Sequence, residues 1–517
     1  MMNLILLTNE KQVLILNLLN LLDKNSRIQI SMIHFLLDYN AKTSTTTMIE
    51  ELALTRFLFE TNIEEVIIIL KQLNIGLILT YDKTHDSIIL QKDNHTSLDK
   101  FYYYYLNRSV DYQILIYLYR HPSYSIVDLC HSVSLSEPAI YRHLKKINKE
   151  IKEFDIQIRK GTIIGDELQI CYFFYQLFWV GVPLDDLEGK TNDLSAMRFV
   201  DYLEKKLKQK FTRESKLKLY LWIRILKTRI LKQPLNESSP ILETFFDYQT
   251  EDSIYQIVRD AYFFSLSHSA VFGSPHNAIY LYLFISSMSI VPPDVVLILE
   301  EDYWPTCNPK IIALNELVVD KVKSDYQLDQ EKIDETFIAN WKYYLTQIHG
   351  SLLYFRGSIT FLEEKIVSER LLKATTFIPN YELAHKIVDE GEMLVEKPLL
   401  DTTKQLVTRI YLYFINQMKR FSTNQITIGV HSSDDYLYSN MMVEMVKTEF
   451  ENQFFITCEI AEFGKSYDIL ITNSTISLCD FGYKDLYVTN NFKTNTDVSS
   501  LRNLLTKHSQ QNKPLEG

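Results

Sequence analysis

The 517-residue sequence predicts a mainly α, multidomain fold: tandem winged helix-turn-helix units, two helical bundles and a small C-terminal α/β domain. Three observations carry that expectation. Only 13 glycines and 13 prolines occur, too few for a β-rich or loop-rich chain, and 46% hydrophobic residues suffice for several cores. A helix, turn, helix and hairpin pattern occurs twice before residue 165. β-rich runs that alternate with helical ones are confined to the last part of the chain.

The first winged unit, residues 1–100, is degenerate. Thr47 is placed to cap a helix over Met48–Leu54, a second helix is expected from Asn62 to Leu73, and Leu77–Leu90 alternates around Asp82–Asp86 as a hairpin. The second helix would bury Ile63, Ile67 and Leu70 and turn Asn62, Glu64, Glu65, Ile68 and Lys71 outward. Two carboxylates on that face suit a structural, dimerising or weak secondary role. The tyrosine-rich run Phe101–Leu106 reads as a packed connecting helix.

The second unit, residues 101–165, carries the strongest functional signal. Ser125 is placed to cap a helix over Ile126–Cys130, Val133–Leu135 makes the turn, and Ser136 caps a second helix whose first turn tolerates Pro138. In that helix Ile140, Leu144, Ile147 and Ile151 repeat at helical spacing. They face a core and push Arg142, Lys145 and Lys149 to the opposite side, flanked by Tyr141 and Lys146. Ile156–Ile164 then alternates around Lys160-Gly161, a wing that sets Arg159 and Lys160 beside the same groove.

Charge sharpens this reading. The whole chain has a net charge of −11, yet Ile140–Lys160 holds seven basic and three acidic residues, a local +4. Such a patch neutralises phosphates, while side chains near the start of the helix read base edges. Double-stranded DNA is therefore the expected partner. One winged unit offers few contacts, so a homodimer is expected as well.

Beyond Asp166 the pattern turns to long amphipathic helices. Leu168–Trp179, Ala196–Leu207, Leu217–Leu231, Ile254–Leu266 and Asn277–Ile290 form one bundle, residues 166–290, closed by Val291-Pro292-Pro293. Ile311–Val322, Ile333–Leu345, His349–Phe355, Tyr381–Leu394 and Lys404–Met418 form a second, residues 291–420. Residues 421–507 read as a small parallel α/β domain. Its strands are Gln425–Val430, Phe454–Ile460, Asp468–Thr472 and Asp485–Thr489, and its helices Tyr436–Phe450 and Val498–Leu505. The polar tail 508–517 reads as disordered. The basic run Lys205, Lys206, Lys208, Lys210, Arg213, Lys216 and Lys218 reads as the solvated end of two helices.

Five scattered cysteines, with no pair at metal-ligand spacing, fit a reduced cytoplasmic setting. The apolar start is interrupted at Thr8–Gln12 and is too short to span a bilayer, so no membrane partner is expected. No phosphate loop, metal-ligand set or nucleophile elbow is present, so no catalytic residue, metal or cofactor is expected.

Two stretches, Ala139–Asn148 and Gly165–Phe173, resemble the second DNA-binding helix of the Mga family of low-GC Gram-positive bacteria and the junction into its first regulatory domain. The resemblance extends over nearly the whole length. It implies two helix-turn-helix units, two phosphotransferase-system regulation domains (166–290 and 291–420) and a C-terminal domain similar to a IIB sugar-transport component. It further implies transcriptional activation of virulence or carbohydrate-related genes, with the histidine phosphocarrier protein as a partner. A phosphoryl group adds about −1.5 to −2 charge, enough to reorder a helix-bundle interface. His276, His349 and His385 are the phosphorylation candidates, with His268 a weaker one. His276 begins a helix whose free N–H groups favour phosphate.

Two other functions compete. One is a peptide- or metabolite-sensing regulator that uses no phosphorylation. The other is a phosphoryl carrier, but the loop that would hold a IIB cysteine reads Val430-His431-Ser432-Ser433-Asp434 and contains none.

Overall fold

The computed structural model describes residues 16–39, 41–121, 123–190, 193–230, 253–267, 274–291, 308–326, 335–360, 378–395, 398–399, 401–418, 425–432, 436–451, 454, 456–474, 480–489 and 495–511. Among them nineteen helices accompany eleven short strands, as a mainly α fold requires. The chain divides into two compact units, Met1–Asn308 with Thr346–Glu364, and Pro309–Leu345 with Lys365–Gly517.

In the first unit, β1 (Leu16–Asn17) precedes a winged fold made of α1 (Lys24–Asp38), β2 (Lys42–Thr43), α2 (Thr45–Glu51), α3 (Arg56–Leu73), β3 (Leu77–Asp82) and β4 (Ser87–Lys92). The three strands β2 to β4 are antiparallel, in the order β2-β4-β3. Met48, Phe59, Ile63, Val66, Leu79 and Ile88 meet in its core. Three expectations need correction. Ser44, not Thr47, caps α2, its hydroxyl accepting the Thr47 N–H at 3.1 Å. α3 begins six residues before Asn62, capped by Thr55. Asn62 itself is buried, because Gln29 of α1 donates to its carbonyl at 3.0 Å and its own amide donates to Leu58 O at 2.8 Å.

The second winged fold follows as α4 (Asp99–Arg108), α5 (Val110–Arg120), α6 (Ile126–Val133), α7 (Glu137–Glu150), a 3-10 turn over Ile151–Phe154, β5 (Gln157–Arg159) and β6 (Thr162–Ile164). α4 packs as expected, with Phe101, Tyr102, Tyr105 and Leu106 buried. Helices α8 (Glu167–Gly181), α9 (Leu184–Lys190), α10 (Leu194–Leu207) and α11 (Arg213–Ile230) come next, then Ser253–Leu266 and Pro275–Ser287. Their core is aromatic: Trp222 stacks on Phe284 at 4.4 Å, and Tyr175 meets Phe284 edge-on at 4.8 Å. Much of the basic run is engaged there. Lys210 and Lys216 both pair with the buried carboxylate of Glu204, and Arg213 pairs with Glu188.

The expected helices Ile333–Leu345 and His349–Phe355 are one continuous helix, Glu335–Tyr354. The expected gap at 346–348 is helical, and within the helix Gly350 packs closely on a neighbour: a Cβ there would lie 2.7 Å from the Ser287 hydroxyl. After that helix β7 (Ile359–Thr360) pairs in parallel with β1.

In the other unit the helices Pro309–Tyr326, Ile378–Val395 and Asp401–Met418 pack together, and Trp341 lies 4.8 Å from Phe414. The chain then forms β8 (Ile426–His431), β9 (Ile456–Ile460), β10 (Ser466–Thr472) and β11 (Gly482–Val488), four parallel strands in the order β11-β10-β8-β9. Ile428, Val430, Ile469 and Ile471 pack there with Val446 and Phe450 of the helix Tyr436–Phe450, and with Leu501 and Leu505 of the helix Asn495–Gln511. That last helix corrects the expected start of a disordered tail at 508: His508 is buried and bonded to Asp485 at 2.7 Å.

Candidate nucleic-acid interface

Each part of the second winged fold is held by local chemistry. The Ser125 hydroxyl accepts the Asp128 N–H at 3.1 Å and caps α6. Ser134 ends that helix in the left-handed region, φ 55°, which turns the chain sharply into α7. Ser136 occupies the N-cap of α7 without a side-chain capping bond, contrary to expectation, and Pro138, at the second helical position, has no N–H to give. The hydroxyl is instead exposed at the start of the helix.

The wing turns through Lys160 and Gly161 with φ of 50° and 79°, the backbone that a two-residue hairpin prefers. A Cβ on Gly161 would lie 2.6 Å from the Tyr124 carbonyl. That closeness lets Tyr124 N–H donate to Gly161 O at 2.9 Å, while Ser123 bridges Thr162, so the segment before α6 extends the wing sheet.

Two contacts fix the recognition helix α7 in rotation and depth. Asn148 donates to Ile158 O at 2.9 Å and accepts from Ile158 N–H at 2.7 Å, tying the helix to the wing. Asp111 of α5, 1% exposed, accepts from His143 Nδ1 and from Lys146 Nζ, each at 2.5 Å. Local periodicity shows neither contact. Lys146 therefore departs from its expected role: its ammonium is committed to a buried carboxylate.

Between α7 and the wing lies a groove of about 750 Å³, lined in part by Tyr124, Tyr141, Lys145, Asn148, Arg159 and Lys160. Burial raises the Tyr124 phenol above its ordinary pKa, keeping it a neutral hydrogen-bonding group. Tyr141, Lys145, Arg159 and Lys160 are exposed, so a phenol and three cations converge on one concave surface. Arg142 and Lys149 are exposed on α7 but do not line the groove. The arrangement offers charge to a phosphate backbone and polar side chains at the helix start to base edges.

The histidine candidates belong to other helices. His276 is half-buried in the first turn of Pro275–Ser287, its N–H donating to the Ser274 cap at 3.3 Å. His385 is half-buried in Ile378–Val395, 5.5 Å from the Tyr381 ring. His349 is fully buried, and burial lowers its pKa to about 3. A docking phosphoryl donor has no access to it in this conformation. His268 lies outside the described residues, among which no cluster of metal-ligating side chains occurs.

Residues 94–178, which contain α4 to α7, the wing and nearly all of α8, match the Mga helix-turn-helix domain. A Streptococcus pneumoniae protein whose name describes a trans-acting regulator is 25% identical over 103 residues, which cover 19% of this chain and 21% of that protein. The second winged unit is thus similar to the Mga helix-turn-helix domain, a likeness that spans residues 94–178.

Proposed function

We propose that this protein is a DNA-binding transcriptional regulator of the activator type, acting on virulence or carbohydrate-related genes and tuned by sugar status. The observation that carries DNA binding is the groove where Tyr141, Lys145, Arg159 and Lys160 converge in a chain of net charge −11. Local positive charge against a global negative one confines phosphate affinity to this face. Selection from random duplexes, followed by anisotropy titration with the selected site, tests it; failure to enrich any sequence would contradict it.

The sugar input is proposed to act through the histidine phosphocarrier protein at His276 and His385, both only half-buried. His276 has the better electrostatic setting, at a helix N-terminus. A homodimer is proposed to double the base contacts, with the domain after residue 421 supplying part of its interface. Light scattering on the full chain and on a truncation at Arg420 tests this, and a truncation that dimerises as well as the parent would count against it.

A metabolite-sensing role is the second reading, favoured by one observation. A cavity of about 130 Å³ lies where α4 and α5 meet α8, α9 and α11, and Tyr103, Tyr112, Tyr119, Arg120 and Arg224 are among its lining residues. That volume suits one small ring, and two guanidinium groups suit an anion. Benzoate raising the thermal midpoint where benzamide does not would support this role. A phosphoryl-carrier role is disfavoured: burial pushes the Cys458 thiol up to about 12, which suppresses the nucleophilic thiolate.

A further inference from the structure

Residues Tyr354–Thr360 pass the entry to the wing at Phe154 and Asp155, held by a series of contacts. The buried Gln169 of α8 donates to Tyr354 O at 2.6 Å and accepts from Arg356 N–H at 2.9 Å. Phe355 stacks on Tyr172 at 4.5 Å. Arg356 Nη1 donates to Asp155 Oδ2 at 2.9 Å. Gly357, at φ 80°, lies flat on Phe154, so that a Cβ there would meet the ring at 2.8 Å. Ile359 and Thr360 then pair with Leu16 and Asn17.

Phe154 and Asp155 lead directly into the wing. Phe154 is fully buried, and Asp155, at φ 57°, turns the chain from the 3-10 turn towards Ile156 and β5. Arg356 and Gly357, which meet them, come from about 200 residues later in the chain, while Phe154 also meets Phe173 of α8 at 5.1 Å. Arg356 and Gly357 directly follow the helix Glu335–Tyr354. We propose that Tyr354–Thr360 is a positioning strap: it sets the direction of the wing and hence the engagement of Arg159 and Lys160 with DNA, with Gln169, Arg356 and Gly357 as its positioning residues.

The proposal rests on the groove being the DNA interface, and the test separates the two. Binding of the full-length protein to a selected duplex is measured across salt for wild type, Gly357→Ala, Arg356→Glu, Arg356→Lys and the wing variant Arg159→Ala/Lys160→Asn. Loss of two phosphate contacts lowers the salt slope by about 2 in the wing variant. The strap predicts a fall of about 1 to 2 in Gly357→Ala and Arg356→Glu, near-parental behaviour in Arg356→Lys, and no further fall when Arg356→Glu is added to the wing variant. Simple loss of folded protein instead weakens binding equally at every salt and leaves the slope unchanged. Arg356→Glu turns an exposed ion pair into an exposed like-charge pair, a small cost to folding, so it stays informative if Gly357→Ala does not fold. An unchanged slope in Arg356→Glu beside a reduced slope in the wing variant overturns the strap. An unchanged slope in the wing variant overturns the DNA interface, and the strap with it.

Discussion

Replacing Asn148 with alanine is expected to loosen the wing without touching any cation. In the β5–β6 hairpin Arg159 faces Thr162 across a two-residue turn and Ile158 faces Ile163. In antiparallel pairing the hydrogen-bonded and non-bonded positions alternate, so Ile158 directs its N–H and C=O away from β6, where Asn148 meets both. Ile158 is 5% exposed, so its N–H and C=O depend on Asn148 as their main partner. Two lost bonds at about 0.5–1.5 kcal/mol each give about 1–3 kcal/mol, or roughly five- to hundred-fold in the local opening equilibrium. Hydrogen exchange over residues 156–164 reads this directly, and the affinity for DNA should fall alongside. Asn148→Asp keeps an acceptor for the Ile158 N–H and should lose less. Unchanged wing protection in Asn148→Ala would refute the reasoning.

Further outcomes follow from other buried groups. Removing both His143 and Lys146 strands the buried Asp111 carboxylate and should destabilise the second winged fold by about 3–5 kcal/mol, whereas Asp111→Asn, whose former partners are partly exposed, should cost less; thermal melts of the two variants rank them. His349 is held neutral by burial down to a pKa of about 3 against an ordinary 6.5, so the unfolded chain takes up the proton first. The stability that depends on neutral His349 is present above pH 6.5 and is lost as pH falls from there towards 3, and His349→Gln should abolish that component in melts between pH 7 and 4. Incubation with the phosphocarrier, its kinase and phosphoenolpyruvate should yield acid-labile phosphohistidine at His276 or His385 and none at His349. Mass spectrometry at neutral pH that finds none at either site would shift the proposed input towards a small ligand in the aromatic cavity.

What the sequence made legible was local. The Ser125 cap, the Lys160-Gly161 turn and the helix Tyr436–Phe450 depend on neighbours a few residues away, and all three are found where periodicity and capping rules put them. The misread positions answer to partners far along the chain. Asn62 looks like a polar surface residue until Gln29 supplies its hydrogen bond. Lys146 has the spacing of a DNA contact, but Asp111, 35 residues earlier, takes its charge. Within the candidate interface the cations were visible in the sequence, while Asn148, Asp111 and the strap, which hold those cations in place, were not.

The most direct measurement of the central claim is the salt dependence of duplex binding by the full-length protein with Arg142, Lys145 and Lys149 all replaced by alanine. These side chains are exposed on the recognition helix, so their removal takes away charge with little change to the core. If α7 and the wing form the DNA interface, affinity falls and the slope of log K against log salt drops by about 2 to 3. Affinity and slope equal to those of the parent protein would contradict the account.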